Sequence, residues 1–183
     1  MKRFILILSL LVFPQAAFAE VPFQFAAPNL RTPDDPDVNG FRIVVLHGRN
    51  HSVRGFDLGF FSLSETGTLV GASTVFGVGK LTGNLNGLAG SLINIHSGED
   101  TGLNAAFFNK VHTMKSGANF GFVNITDTYS MVDVGGANIS DGSLVQVGFL
   151  NVTKEITAVQ LGFLNIAENG FLPVFPFFNF PKK

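Results

Sequence analysis

A short phrase returns nine times along this chain: a glycine, an aromatic or aliphatic pair, an asparagine and a β-branched residue. The clearest copies are Gly121-Phe122-Val123-Asn124-Ile125, Gly148-Phe149-Leu150-Asn151-Val152 and Gly162-Phe163-Leu164-Asn165-Ile166. Looser copies place Asn94, Asn109, Asn138 and Asn179 at the asparagine position, and the first two copies place Ser62 and Lys80 there. From Ser62 to Asn179 the steps are 18, 14, 15, 15, 14, 13, 14 and 14 residues. Repetition this regular means that each unit buries its inner side only against neighbouring units, so the fold is an array of one small element.

Inside the phrase, side chains alternate with a period of two, the signature of a strand. Val145, Val147, Phe149 and Asn151 fall on one face, and Gln146, Gly148, Leu150 and Val152 on the other. Val159, Leu161, Phe163 and Asn165 against Gln160, Gly162, Leu164 and Ile166 repeat the split, while Asp57, Asn119 and Asp133 take the glutamine position elsewhere. No helical period is sustained, and 21 glycines weigh against helices. The fold class is therefore all-β.

Two architectures fit. In the first, each repeat is one strand of an antiparallel meander that closes into an up-and-down barrel of about ten strands. Strands of about ten residues are long enough to cross an outer membrane at a tilt. Asn169-Gly170, Asp141-Gly142, Ser116-Gly117 and Ser97-Gly98 supply turn chemistry for such hairpins. In the second, each repeat is one coil of a β-solenoid with its asparagines stacked in an internal ladder. The turns, the leader described below and the low charge favour the barrel, which is the expectation carried forward; the even steps favour the solenoid. One pair of rings separates them: stacking places Phe149 beside Phe163, whereas a meander places Phe149 across from Leu161.

The first nineteen residues read as a secretory signal, with Lys2 and Arg3 ahead of the apolar stretch Phe4 to Phe13 and a small-x-small site at Ala17-Phe18-Ala19. An apolar run of about ten residues is too short to span a bilayer as a helix. Residues 20–40 read as an irregular segment rich in proline and aspartate, since Pro22, Pro28, Pro33 and Pro36 lack backbone donors. Residues 41–183 form the β-repeat domain.

Composition narrows the function classes. With no cysteine there is no disulfide framework, thiol nucleophile or thiolate metal site. Twelve basic against 13 acidic residues leave no basic field for nucleic acid. Charged residues make up only 14% of the chain, below the roughly 25% of soluble domains. Twenty-one phenylalanines accompany a single tyrosine and no tryptophan. Such a chain buries unusually much or faces lipid.

The repeat phrase, Gly55-Phe56-Asp57-Leu58-Gly59 and the phenylalanine-rich ending at 169–180 together resemble a group of uncharacterised bacterial exported proteins. Those carry tandem Gly-Leu/Phe-x-Asn surface repeats, and the resemblance spans roughly residues 40–180. It implies an exported bacterial β protein; it implies no activity, cofactor or site residue.

Few residues suggest chemistry. Asp35-Pro36-Asp37-Val38-Asn39-Gly40 matches the first half of a calcium loop, but Leu46 stands where the closing glutamate belongs, so the stretch also reads as a polar linker. His47 and His51 are spaced for one face of a helix, in a segment that reads as strand and loop. His96 and His112 fall just after repeats and read as ordinary residues near loops. Four Asn-x-Ser/Thr sequons begin at Asn50, Asn124, Asn138 and Asn151; three are by-products of the repeat. No nucleophile elbow, phosphate loop or dinucleotide fingerprint is present. The expectation is a non-enzymatic envelope protein of a bacterium, in the outer membrane, the periplasm or at the surface, with no catalytic, cofactor-binding or metal-binding residues. The lipid membrane is the expected partner. Asn94, Asn109, Asn124, Asn138, Asn151, Asn165 and Asn179 are assigned a structural role. The alternative is a soluble exported solenoid acting as a binding or adhesion surface, with the Gln/Asp/Asn face on display. Phe171 to Phe180, interrupted by Pro173 and Pro176, belongs at a sheet edge or bulge.

Overall fold

The computed structural model describes residues 21–182, so the leader assigned to residues 1–19 lies outside the described residues. Among the described residues the backbone forms five strands: β1 (Val21–Ala27), β2 (Leu30–Thr32), β3 (Asp37–Leu81), β4 (Leu85–Ala167) and β5 (Val174–Asn179). β3 and β4 run for 45 and 83 residues, where an ordinary strand has about 5–6. They reach such lengths because the extended chain winds upon itself. Leu69 lies opposite Leu85, Ala72 opposite Leu88 and Gly79 opposite Asn94, all in parallel register. Parallel neighbours one repeat apart cannot arise from hairpins, which make antiparallel pairs. The molecule is a β-solenoid, and the antiparallel barrel is not its fold. Phe149 and Phe163 decide the same point, their rings stacked 4.9 Å apart and inclined by 6°.

The sequences read as hairpin turns are mostly coil corners. Asp141 pairs with Lys154 on the following coil at 2.8 Å, and its carbonyl accepts from the Thr153 hydroxyl at 3.1 Å. Gly117, in the Ser116-Gly117 pair, continues a column of corner glycines. A Cβ on Gly102, whose φ is +141°, would lie 1.8 Å from the carbonyl oxygen of Gly87 one coil below. Only glycine fits there, for its positive φ and for the close approach of the backbones. Asn169-Gly170 does begin a reversal, through a loop that closes with Ala167 N–H donating to Pro173 O at 3.1 Å. β5 then returns antiparallel along β4, with Asn165 opposite Phe175 and an irregularity between Gly162 and Asn165. β5 is thus the edge strand expected of a segment holding two prolines, and its single partner is β4.

Residues 20–40, read as irregular, carry β1 and β2 over 21–32. β1 pairs in parallel with β3, Phe23 opposite Phe41, and the register slips between Val21 and Phe23, around Pro22. A proline at such a slip need not donate to the ladder, which is why its presence did not abolish the strand.

The interior changes character along the axis. Val38, Val53, Leu69, Leu81, Leu85 and Ala89 form an aliphatic core in the early coils. From Asn94 onward buried amides and hydroxyls predominate, with Val111, Met114 and Ile156 among them.

Candidate functional site

The interior dictates which side chains face out. Asn94 donates through Nδ2 to Oδ1 of Asn109 at 2.9 Å, Asn109 to Asn124 at 2.8 Å and Asn124 to Asn138 at 2.8 Å. Asn138 to Asn151 and Asn151 to Asn165 continue at 2.8 Å each. The free hydrogen of Asn109 reaches Phe120 O, and those of Asn124, Asn138 and Asn151 reach Val134 O, Val147 O and Leu161 O. Each amide is thereby satisfied in a buried row, as burial of polar groups requires. Asn179 does not join the row: it donates to Leu172 O at 3.0 Å and pairs with Gln160 across β5. Lys80 also stands outside it. The register sets Gly79 opposite Asn94 and Lys80 opposite Ile95, and Lys80 reaches Glu65 at 3.2 Å. Ser62 is buried in the earlier part of the molecule.

The glycine of the phrase is explained by this row. A Cβ on Gly148 would come within 2.6 Å of Asn138 Nδ2 and 3.1 Å of Asn151 Oδ1. Gly121 and Gly162 are confined in the same way. Strict alternation puts Asn151 on the face of Phe149, yet Asn151 is fully buried and Phe149 is exposed. A corner between them turns the amide inward and leaves the ring outside.

A second interior row occupies the glutamine position. Asn104 donates to Asn119 at 2.9 Å, Asn119 to Asp133 at 2.8 Å, and Gln160 to Gln146 at 2.8 Å. All five are buried, so the face expected on display is the core. Burial pushes the Asp133 carboxyl above its ordinary range, against hydrogen bonds from Ser130 and Asn119. Two further contacts escaped the sequence reading. His96, taken as a residue near a loop, is buried with Nδ1 2.6 Å from Asp100. Arg42 is buried with two bonds to Asp57, at 2.8 and 2.7 Å, and others to Ser64 and Thr66 at 2.6 and 2.7 Å. Their partners lie 4 and 15 residues away; only the second spacing, one coil, carries a signal, and only once the coil is known.

With amides inside, the phenylalanines stand outside. Phe107, Phe122, Phe149 and Phe163 each precede a ladder asparagine by two residues and are between 61% and 66% exposed. Phe107 and Phe122 stack at 5.1 Å with 9° between their planes, as Phe149 and Phe163 do. Gly136 holds the place between the two pairs, with the Phe122 ring beside it. Alongside runs a second exposed column that includes Phe120, Val147 and Leu161, extended by Phe178, which β5 sets opposite Leu161. The outward positions 105, 107, 120, 122, 134, 136, 147, 149, 161 and 163 contain no charged residue. A contiguous exposed apolar surface of this kind marks a contact site.

The polar candidates assemble less. Asp37 accepts from Ser52 Oγ at 2.5 Å and lies 3.0 Å from His51 Nδ1, beside a cleft of about 380 Å³. Ser52 bonds to the carboxylate rather than to the imidazole, so the histidine is not aligned on the hydroxyl. Those same contacts, Ser52 first and His51 second, hold the Asp37 carboxyl below its ordinary range. Asp35 accepts the Asp37 backbone N–H at 2.9 Å, closing a turn on itself. His47 is exposed apart from this cluster, and His112 lies 3.7 Å from Asp127 at the surface. Among the described residues no three His, Asp or Glu side chains gather as a metal site. Compared with known proteins, the chain matches no family model, no curated protein and no solved structure.

Proposed function

We propose that this protein is a non-enzymatic exported solenoid that serves as a binding or adhesion surface, with the aromatic columns as its contact face. One observation carries the reading: stacked rings more than half exposed, in an uncharged field, on a rigid wall of parallel strands. Leaving so much aromatic surface in water forgoes about 25 cal/mol for each Å² left unburied. A partner that covers it recovers that free energy. Export to a bacterial envelope rests on the sequence of residues 1–19 and on the resemblance given above. Peripheral attachment to the outer membrane through the same face is a second reading, favoured by the absence of charge among its outward positions.

The test compares the full chain with the double substitution Phe122→Ser/Phe149→Ser on a hydrophobic-interaction column. Both rings point outward, so circular dichroism of the variant should match the parent. The variant is expected to elute markedly earlier; unchanged retention with intact folding rejects the aromatic face as the contact site. Export is tested by fractionating cells that express the full chain, where recovery only from the cytoplasm counts against it.

A further inference from the structure

We propose that the partner of the aromatic face is a second copy of this chain, docked face to face about a two-fold axis that passes through Gly136. This rests on the reading of the columns as a contact face and adds the identity of what covers them.

Symmetry is the first argument. In a two-fold interface the same patch meets itself, so the patch must be its own complement when turned by half a revolution. The outer column reads Phe107, Phe122, Gly136, Phe149, Phe163, one residue per coil. Turned about Gly136, Phe122 takes the place of Phe149 and Phe107 that of Phe163. Both halves carry the same arrangement, a pair of near-parallel rings at 5.1 Å in one and 4.9 Å in the other. The one position that maps onto itself is the one without a side chain. Within one copy the Phe122 ring already lies 3.2 Å from where a Cβ on Gly136 would sit, so the axis falls on a low point of the column rather than on a ring.

Area is the second. Phe107, Phe122, Phe149 and Phe163, with Phe120, Leu161 and Phe178 beside them, expose on the order of 800 Å², taking about 200 Å² for a large aromatic side chain. A stable interface takes about 800 Å² from each partner. Flat β walls also pack face to face at about 10 Å, a spacing that two layers of such rings fill. A lipid surface would accept the patch too, but a fluid makes no use of ring pairs fixed at matching positions on a rigid wall.

Sedimentation of the purified chain without lipid or detergent reads the association directly, and a dimer at micromolar concentration is expected. Phe122→Ser/Phe149→Ser should weaken it at least tenfold while circular dichroism stays unchanged. Because the chain has no cysteine, placement is tested by disulfide trapping. Phe122→Cys mixed with Phe149→Cys should give a cross-linked pair under mild oxidation, and each alone should give little. A dimer indifferent to the double substitution, or one that traps Phe122→Cys with itself as readily as the mixture, overturns the proposal. A monomer that sediments with vesicles of phosphatidylethanolamine and phosphatidylglycerol also overturns it, and leaves the contact face standing with lipid as its partner. A monomer that binds neither vesicles nor a hydrophobic column removes the contact face as well.

Discussion

Asp133 lies buried in a row where Asn119 precedes it by one coil and Gln146 follows. A carboxyl whose value is raised by burial binds its proton more tightly in the fold than in the unfolded chain. Its contribution is therefore most favourable below the ordinary value of 3.8. As pH rises from there toward the folded value it becomes a penalty, which then stays constant. Asp133→Asn keeps the oxygen that accepts from Asn119 and Ser130 and removes the titration. The variant should melt higher than the parent at pH 7, with the difference closing below pH 4; a gap independent of pH argues against the assignment. Arg42 presents the opposite case, a buried charge paired with Asp57 and bonded to the Ser64 and Thr66 hydroxyls. Arg42→Met leaves Asp57 buried and unpaired, which costs about 3–5 kcal/mol. Replacing both, as Arg42→Met/Asp57→Leu, should return most of that loss in denaturant unfolding. Asp57 stood out as an occupant of the glutamine position, but its pairing with Arg42 did not, because an arginine fifteen positions before it gains meaning only when the coil length is known.

At the scale of the strand, alternation and repeat length were legible and the direction of pairing was not. A period of two is common to parallel and antiparallel neighbours, so Val145 to Asn151 reads the same in a meander and in a coil. Asp141-Gly142 suits a hairpin turn and equally suits a corner, and nothing local distinguishes them. The asparagine was the better witness. Its place on the apolar side of each strand made little sense in hydrocarbon and full sense in a stacked row. Asn124→Ala tests the row at its middle. It removes the donor to Asn138 Oδ1 and to Val134 O and the acceptor of Asn109 Nδ2. Buried groups left unsatisfied cost about 1–3 kcal/mol each, so a loss of roughly 2–4 kcal/mol in urea unfolding is expected. A loss below about 0.5 kcal/mol would mean that the row contributes little more than shape.

Across the whole molecule, stacking leaves two open ends, and each is closed by strands unlike the rest. β1 and β2 cover the start, and β5 runs back along the last coil against Gln160, Leu161 and Ile166. The rings in and beside β5 form a cluster of their own, Phe171 with Phe180 at 5.2 Å and Phe175 with Phe178 at 5.2 Å. Removing residues 171–183 bares the backbone of a flat parallel wall, a template for adding further strands. The truncated chain should sediment as large, irregular aggregates where the parent gives a defined species; a well-behaved truncated protein would mark β5 as dispensable. The prolines at 173 and 176 made this segment recognisable as an edge from sequence alone, whereas Pro22 and Pro28 gave no hint that β1 and β2 close the other end.

The row of asparagines also keeps time without keeping count. Slide the chain by one full coil and asparagine again lies over asparagine, each Nδ2 again facing an Oδ1, with the mismatch confined to the last member. Nothing in a row of identical links tells the fourth coil from the fifth. What numbers them are the contacts that occur once: Arg42 on Asp57, His96 on Asp100, and the gap at Gly136 in an otherwise unbroken file of rings. The residues that look like lapses in the pattern are the ones that make it a molecule of one length and one alignment.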